Sequence, residues 1–296
     1  MLSILIPTYN YNCIPLTERL FSELTNLTID FEILVEDDGG TLFLAENDAI
    51  NNLPNCHYYH NTGNIGRAGN INRLFGKSKF DSCLLLDCDI FPVKSDFISH
   101  YLQAIKEGNN IVFGGIIYET AIPETEKKLR WVYGTKREAL PLAIRKKKPY
   151  ETTLTSNILI SKSLFNNTEI FNQDITLYGY EDLVLIEELK RKNISIFHID
   201  NPGFHLNLET SEKFLLKTKE GINNLVFLEQ QGILKPDSTK IVRLFSKLKK
   251  MRLNNWVGFL FSILKPFLRK NLISNRPSLF LFDCYKIGYF CYLKSK

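Results

Sequence analysis

Asp87 and Asp89 stand two positions apart at the end of the apolar run Cys83-Leu84-Leu85-Leu86. Alternate residues of an extended backbone share a side, so the pair is predicted to offer two carboxylates to one hard cation. Asp37-Asp38-Gly39-Gly40 closes an earlier apolar run. A carboxylate there can accept from a base N–H or a ribose hydroxyl, or simply hold an acidic turn. Gly63-Asn64-Ile65-Gly66-Arg67-Ala68 opens a helical pattern and offers backbone N–H groups and Arg67 to a diphosphate. It matches neither GxGxxG nor GxxxxGK[ST]. Gly179-Tyr180-Glu181-Asp182 precedes another helical pattern. One of its acids can cap that helix while the other serves as general base. His205, in the segment Asn201 to Asn207 after an apolar run, is placed to reach a metal or a phosphate, or to be structural.

These residues need a scaffold, and the first half of the chain supplies one by alternating short apolar runs with helical spacing, the pattern of an α/β domain with a mainly parallel sheet. Ser3 to Pro7, Glu32 to Glu36, His57 to His60 and Cys83 to Asp87 read as strands, and Pro15 to Leu24, Phe43 to Asn51 and Arg67 to Lys77 as helices. Thr8-Tyr9-Asn10, Asp37 to Gly40 and Asp87 to Asp89 each end a strand, where open sheets of this kind bind ligands. Farther on, Asn110 to Tyr118 reads as one strand, and the charged stretch through Arg145-Lys146-Lys147-Lys148 as a mobile loop. Thr155 to Ile160 and Ile194 to Ile199 read as strands, and Glu181 to Lys192 and Ser211 to Gln231 as helices. Gly232 and Pro236-Asp237-Ser238 predict a helix stop and a linker.

The chain has 37 Lys+Arg and 32 Asp+Glu. Positions 240 to 296 hold 13 of those cations and one acid, Asp283, leaving 24 cations and 31 acids before them, so a body near −7 carries a tail near +12. Such a tail seeks an anionic surface. Its apolar run Trp256 to Leu264 is too short to span a bilayer, and basic clusters with Trp, Phe and Tyr suit a helix lying in an anionic leaflet. The alternative is a helical lid packed on the domain. No recognition motif accompanies the charge, so nucleic acid is not an expected partner. Six scattered cysteines without a CxxC pair point to a reducing compartment and against structural zinc or a disulfide framework. The start MLSILIPTYN predicts neither signal peptide nor anchor, hence a cytoplasmic protein.

Together the motifs resemble the family 2 glycosyltransferases, nucleotide-diphospho-sugar transferases with the GT-A fold. The resemblance lies in Ser3-Ile4-Leu5-Ile6-Pro7-Thr8-Tyr9-Asn10, Glu36 to Gly40, Asn64 to Ala68, Leu85-Leu86-Asp87-Cys88-Asp89 and Tyr178-Gly179-Tyr180-Glu181-Asp182. It implies a nucleotide site formed by Pro7, Tyr9, Asp38, Arg67 and Asp87, and by Asn72, which matches the Asn of the Ala-Arg-Asn that many members carry where Asn70-Ile71-Asn72 stands here without the Arg. It implies Mn or Mg held by Asp87 and Asp89, with His205 as a third ligand, and Asp182 as catalytic base, Glu181 being the second choice. Tyr180 replaces the tryptophan common before the acidic pair and is an aromatic able to stack on a sugar.

The resulting expectation is a metal-dependent, inverting glycosyltransferase that moves a sugar from a nucleotide-diphospho-sugar, preferably a UDP-sugar, to a glycan or lipid-linked glycan in surface polysaccharide or lipopolysaccharide assembly. It would act on the inner face of the plasma membrane, with the tail on the anionic leaflet. Residues 1–118 would form the nucleotide-sugar half of the domain, 119–235 the acceptor half and 236–296 the basic helical tail. Three other readings fit less well. A nucleotidyltransferase would carry a Gly-rich basic loop after the first strand, whereas Thr8-Tyr9-Asn10-Tyr11-Asn12 stands there. A phosphoaspartate hydrolase would follow its second Asp with Gly and Thr, whereas Ile90 and Phe91 follow Asp89. A membrane-bound scaffold without catalysis would have no need of Asp38, Asp87, Asp89 and Asp182 together.

Overall fold

A computed structural model describes residues 1–165, 169–171, 179–234 and 238–295. The strands are β1 (Leu2–Thr8), β2 (Phe31–Asp37), β3 (Cys56–His60), β4 (Ser82–Leu86), β5 (Ile90–Pro92), β6 (Ile111–Phe113), β7 (Ile116–Ile117), β8 (Asn157–Ser161), β9 (Phe197–His198) and β10 (Gly203–His205). The helices are α1 (Ile14–Leu24), α2 (Leu44–Asp48), α3 (Gly66–Lys77), α4 (Phe97–Lys106), α5 (Lys128–Tyr133), α6 (Leu142–Lys147), α7 (Pro149–Thr152), α8 (Glu181–Arg191), α9 (Ser211–Gln230), α10 (Lys240–Lys250), α11 (Asn254–Leu272) and α12 (Leu279–Lys294). They fold as two compact units. One comprises Met1–Tyr118, Glu138–Thr176 and Glu188–Leu206; the other comprises Glu119–Arg137, Leu177–Glu187 and Asn207–Lys296.

The first unit is α/β. Its seven-stranded sheet has the order β3-β2-β1-β4-β8-β6-β9, and only β8 runs against its neighbours. β1 and β8 are buried along their whole length, which explains why they read as continuous apolar runs rather than alternating ones. Helices cover the sheet with apolar residues at helical spacing: Leu16, Leu20 and Leu24 on α1, Ile71, Leu74 and Phe75 on α3, and Phe97, Ile98, Tyr101 and Ala104 on α4. A second sheet of three strands, β5-β10-β7, stands apart from the first.

Two expectations change here. The single strand predicted over Asn110 to Tyr118 is two strands in two sheets, broken at Gly114-Gly115. Gly115 takes φ +100°, and a Cβ on Gly114 would lie 2.3 Å from the Tyr101 hydroxyl, so the bend requires both glycines. The charged stretch before Lys148, expected to be mobile, is folded. Within it Arg145 is 3% exposed. Its guanidinium donates to the carbonyls of Leu140 (3.1 Å), Phe113 (3.4 Å), Gly114 (3.2 Å) and Ile199 (2.9 Å). A buried cation is tolerable when its donors are all engaged; here it ties the ends of β6 and β9 to α6.

Arg145 also donates to Nδ1 of His198 at 3.4 Å, so the proton of the neutral ring sits on Nε2, which faces the Pro149 carbonyl at 3.2 Å. Burial first, and then the Arg145 charge, push the His198 imidazole down from 6.5 to about 4. A histidine depressed in the folded state gives stability that is complete above pH 6.5 and is lost as pH falls through 4. The loss is expected to be roughly 3 kcal/mol. Urea unfolding between pH 7 and pH 4 should show it, and His198→Gln should flatten that part of the profile.

In the second unit, Leu129, Leu215, Phe261, Leu272, Phe282 and Tyr285 form one buried cluster. The C-terminal helices therefore share a core with α5 and α9. Thr210, Thr239 and Ser278 begin α9, α10 and α12 with side chains that accept backbone N–H groups. α11 and α12 approach closely because Gly288 faces Phe261, where a Cβ would come within 2.7 Å of the ring. The predicted stop after α9 is present at Gly232, with φ +69°; Pro236 and Asp237 lie outside the described residues.

Candidate active site

The C-terminal ends of β1, β2 and β4 bring most of the sequence-identified residues to one edge of the first unit. Pro7 is buried within β1, and Tyr9, just beyond it, is 54% exposed. Asn10 is left-handed, with φ +53°, and its side chain accepts from Thr41 N–H (2.7 Å) and Leu42 N–H (2.9 Å), so it holds the turn after β2. Of the two acids in that turn, Asp37 is fully buried and accepts from Gly40 N–H at 2.6 Å. Asp38 accepts from Ile65 N–H (2.7 Å) through one oxygen and from Gly66 N–H (2.9 Å) through the other.

Asp38 thus fixes the glycine loop that opens α3. Burial pushes its carboxyl up from the ordinary range, against the hydrogen bonds from Ile65, Gly66 and Asn61. The Asn72 amide, in the second turn of α3, clamps a neighbouring segment: its oxygen accepts from Ile170 N–H (3.1 Å) and Phe171 N–H (2.9 Å), and its nitrogen donates to the Phe171 carbonyl (2.8 Å). Asn70, which sequence reasoning passed over, has the deeper role of joining α3 to the sheet, donating to the Glu36 carbonyl at 2.7 Å.

β4 ends at Leu86, so Asp87 and Asp89 lie in a turn closed by Ile90 N–H on the Asp87 carbonyl at 2.9 Å. The sharing of one side expected from strand alternation does not apply there. Arg67 donates to Asp87 at 2.8 Å and to Thr155 Oγ1 at 3.1 Å. Asp89 faces His205, with Oδ2 and Nε2 3.8 Å apart. The small sheet makes that meeting: β10 runs antiparallel to β5 with His205 opposite Ile90, and Leu206 N–H donates to the Asp89 carbonyl at 2.9 Å. Two further aromatic residues belong to this corner. The Tyr118 ring stacks on His205 at 5.2 Å and 20° while its hydroxyl donates to Glu138. Tyr11 has its hydroxyl pushed up to about 12, by burial first and then by the Asp89 charge. Neither belongs to a recognisable motif, and only the pairing of distant strands brings Tyr118 here.

Among the described residues no three His, Cys, Asp or Glu side chains gather into a metal cluster. Asp89 with His205 nevertheless offers one carboxylate and one imidazole, a donor set that suits Mn, and Mg is commonly held by one or two protein ligands with substrate phosphates and water. The residues present therefore fit a divalent ion completed by a diphosphate. Asp87 contributes to this corner through its pairing with Arg67.

Glu181 and Asp182 belong to the other unit, in the first turn of α8. Glu181 is 7% exposed, and Asp182 is half-buried. Tyr180 adopts φ +69°, and its phenol is pushed up by burial. Its ring lies beside Gly221 of α9. Tyr178 lies outside the described residues.

The sequence model of glycosyl transferase family 2 matches residues 3–168. The chain belongs to that family. Solved structures with a similar fold include residues 1–349 of S. aureus TarS, with 16% identity over 100% of this chain and 92% of that one and a TM-score of 0.51. The mannosyltransferase PcManGT from Pyrobaculum calidifontis, in complex with GDP-Man and Mn2+, shows 12% identity over 99% and 85%, TM-score 0.56. Mannosyl-3-phosphoglycerate synthase from Rubrobacter xylanophilus shows 16% identity over 79% and 76%, TM-score 0.53. No curated protein matches the chain. The chain is thus a family 2 enzyme of the GT-A fold, a glycosyltransferase using a nucleotide-sugar.

The double use of Asp38 by the glycine loop gives a prediction. In Asp38→Asn an amide NH2 would face a backbone donor, at a cost of about 1–3 kcal/mol. Hydrogen exchange should then show Ile65 and Gly66 amides losing protection while Gly40, held by Asp37, keeps it.

Proposed function

We propose that this glycosyltransferase is metal-dependent and inverting, and that it transfers a sugar from a nucleotide-diphospho-sugar, preferably a UDP-sugar, to a hydroxyl of a glycan or lipid-linked glycan in surface polysaccharide or lipopolysaccharide assembly. The observation that carries the reading is the corner where Asp89 meets His205 at 3.8 Å while Arg67 pairs with Asp87 at 2.8 Å. Two donor groups suited to Mn or Mg and one fixed cation lie at the strand ends where a donor diphosphate binds in α/β sheets. In support, PcManGT is solved with GDP-Man and Mn2+ and TarS, at a TM-score of 0.50, with UDP-GlcNAc.

Asp89 and His205 would hold the ion, which when bound offsets the charge growing on the leaving nucleoside diphosphate. Arg67 offsets part of the same charge and can exchange its Asp87 contact for a phosphate oxygen. Pro7 and Tyr9 would border the nucleobase and ribose, with Asp38 and Asn72 holding the loop and the segment around them. Asp182 takes the proton of the acceptor hydroxyl as its oxygen bonds to the anomeric carbon and the carbon–diphosphate bond breaks. One base suffices for this in-line displacement, which needs no covalent sugar–enzyme intermediate. Asp182 fits the role better than Glu181 because the latter is buried. The place of action in this reading is the inner face of the plasma membrane.

Two measurements test the reading. Thermal unfolding with UDP, GDP or CMP, with and without Mn, is expected to show one nucleotide raising the midpoint only when Mn is present, since a ligand selective for the native state stabilises it; Asp89→Ala should abolish the shift. If no nucleotide in that panel moves the midpoint of either protein, the reading fails. With a donor in hand, Asp182→Asn should lower kcat about 10²–10⁴-fold while leaving the nucleotide-induced shift intact.

A further inference from the structure

The helix α11 has two apolar faces, and the fold uses one. Gly258, Phe261 and Leu272 are buried, and the Phe261 ring meets Tyr285 of α12 edge-on at 5.3 Å. The other face presents Trp256, Phe259, Leu260, Ile263, Leu264 and Phe267, exposed by 70%, 60%, 53%, 52%, 39% and 71%. Their spacing of three, four, seven, eight and eleven positions from Trp256 places all six on one stripe. A continuous exposed stripe of this size marks an interaction surface.

Charge identifies the occupant. Lys247, Lys249, Lys250 and Arg252 immediately precede the stripe, and Lys270 and Arg276 follow it. None of these six forms an ion pair with a described residue. A second copy of the chain would set like charge against like. An anionic bilayer matches both features, with phosphates for the cations and acyl chains for the stripe. Among the described residues no helix is long and apolar enough to cross a membrane, so the match is to a helix lying in the interface.

We infer that the exposed face of α11 is a membrane-docking surface that lies in an anionic phospholipid leaflet, with its aromatic and aliphatic stripe among the upper acyl chains and the flanking lysines and arginines on headgroup phosphates. The inference deepens the membrane location in the proposed function and uses no residue of the candidate active site, so its test is separate from that of nucleotide binding.

The test is flotation of the full chain with vesicles of phosphatidylglycerol and phosphatidylcholine, compared with phosphatidylcholine alone. Wild type should float with the anionic vesicles, and binding should weaken between about 0.1 M and about 0.5 M salt as screening lengths shorten. Phe259→Ser with Phe267→Ser should lower the partition coefficient by about a hundredfold; both positions are exposed, so the unfolding midpoint should hold. Lipids brominated in the acyl chains should quench wild-type fluorescence, and that quenching should vanish in Trp256→Phe. The inference is overturned if wild type stays with the soluble fraction, or if the double variant floats as well as wild type. It is equally overturned if light scattering shows a dimer that the double variant converts to a monomer.

Discussion

The antiparallel pairing of β5 with β10 is the constraint on which the candidate site depends. It joins two short segments more than a hundred positions apart and sets His205 opposite Ile90, so the residue before Ile90 meets an imidazole. β7 adds to the other edge of β10 in parallel, which carries Tyr118, the next residue along, onto the His205 ring. Three strands of two or three residues each thereby align Asp89, His205, Tyr118 and Glu138. Strands this short have little stability alone. Gly114-Gly115 and Arg145 hold them, by bending β6 into β7 and by tying the carbonyls of Phe113 and Ile199 to one guanidinium.

The charged groups of this unit divide by what offsets their burial. Glu36 is fully buried and is paired with Arg73 and Lys77 from α3, so it fastens that helix to β2. Asp37 and Asp38 lean on backbone N–H groups, a means of keeping a carboxylate in a turn without a cation. Arg67, Asp87, Asp89 and His205 are each between 14% and 25% exposed in their side chains. That is the exposure expected of groups that must exchange one partner for a ligand: enough shielding to strengthen a charge contact, and enough access to break it.

Much of this was legible in the sequence, for physical reasons. β1, β2 and β4 lie within a residue of their expected bounds because buried parallel strands are largely apolar runs bounded by polar ends, and β3, a half-buried edge strand, is as close through its aromatic residues. The motifs after them could be placed at the ligand-binding edge for the same reason. What sequence reasoning missed depended on tertiary pairing. From Ile111 to Tyr118 the run is apolar on both sides of Gly114-Gly115, and apolarity alone does not say that it divides between two sheets. Arg145 sits among Lys146, Lys147 and Lys148 and is chemically indistinguishable from a solvated charge until α6 turns it toward β6 and β9. The expectation for Asp87 and Asp89 carried strand alternation past a strand end at Asp87; β4 ends one residue earlier, at Leu86, and both acids lie in the turn that follows.

The C-terminal helices show how two expectations that look exclusive are reconciled by a helix with two faces. A lid packed on the domain and a basic surface helix were alternatives when only composition was known. Phe261 and Leu272 join Leu215 of α9 and Phe282 and Tyr285 of α12 in one core, which makes α11 part of its unit's folded structure. A core needs only one side of a helix, and α11 carries its largest side chains on the other. Natural sequences place charge on an exposed helix face when solubility is the only demand. Trp256, Phe259 and Phe267 occupy it instead, with Lys247, Lys249, Lys250 and Arg252 before it and Lys270 and Arg276 after it. Packing inside the unit cannot account for those side chains, because the inward face is already filled; a surface outside the protein can.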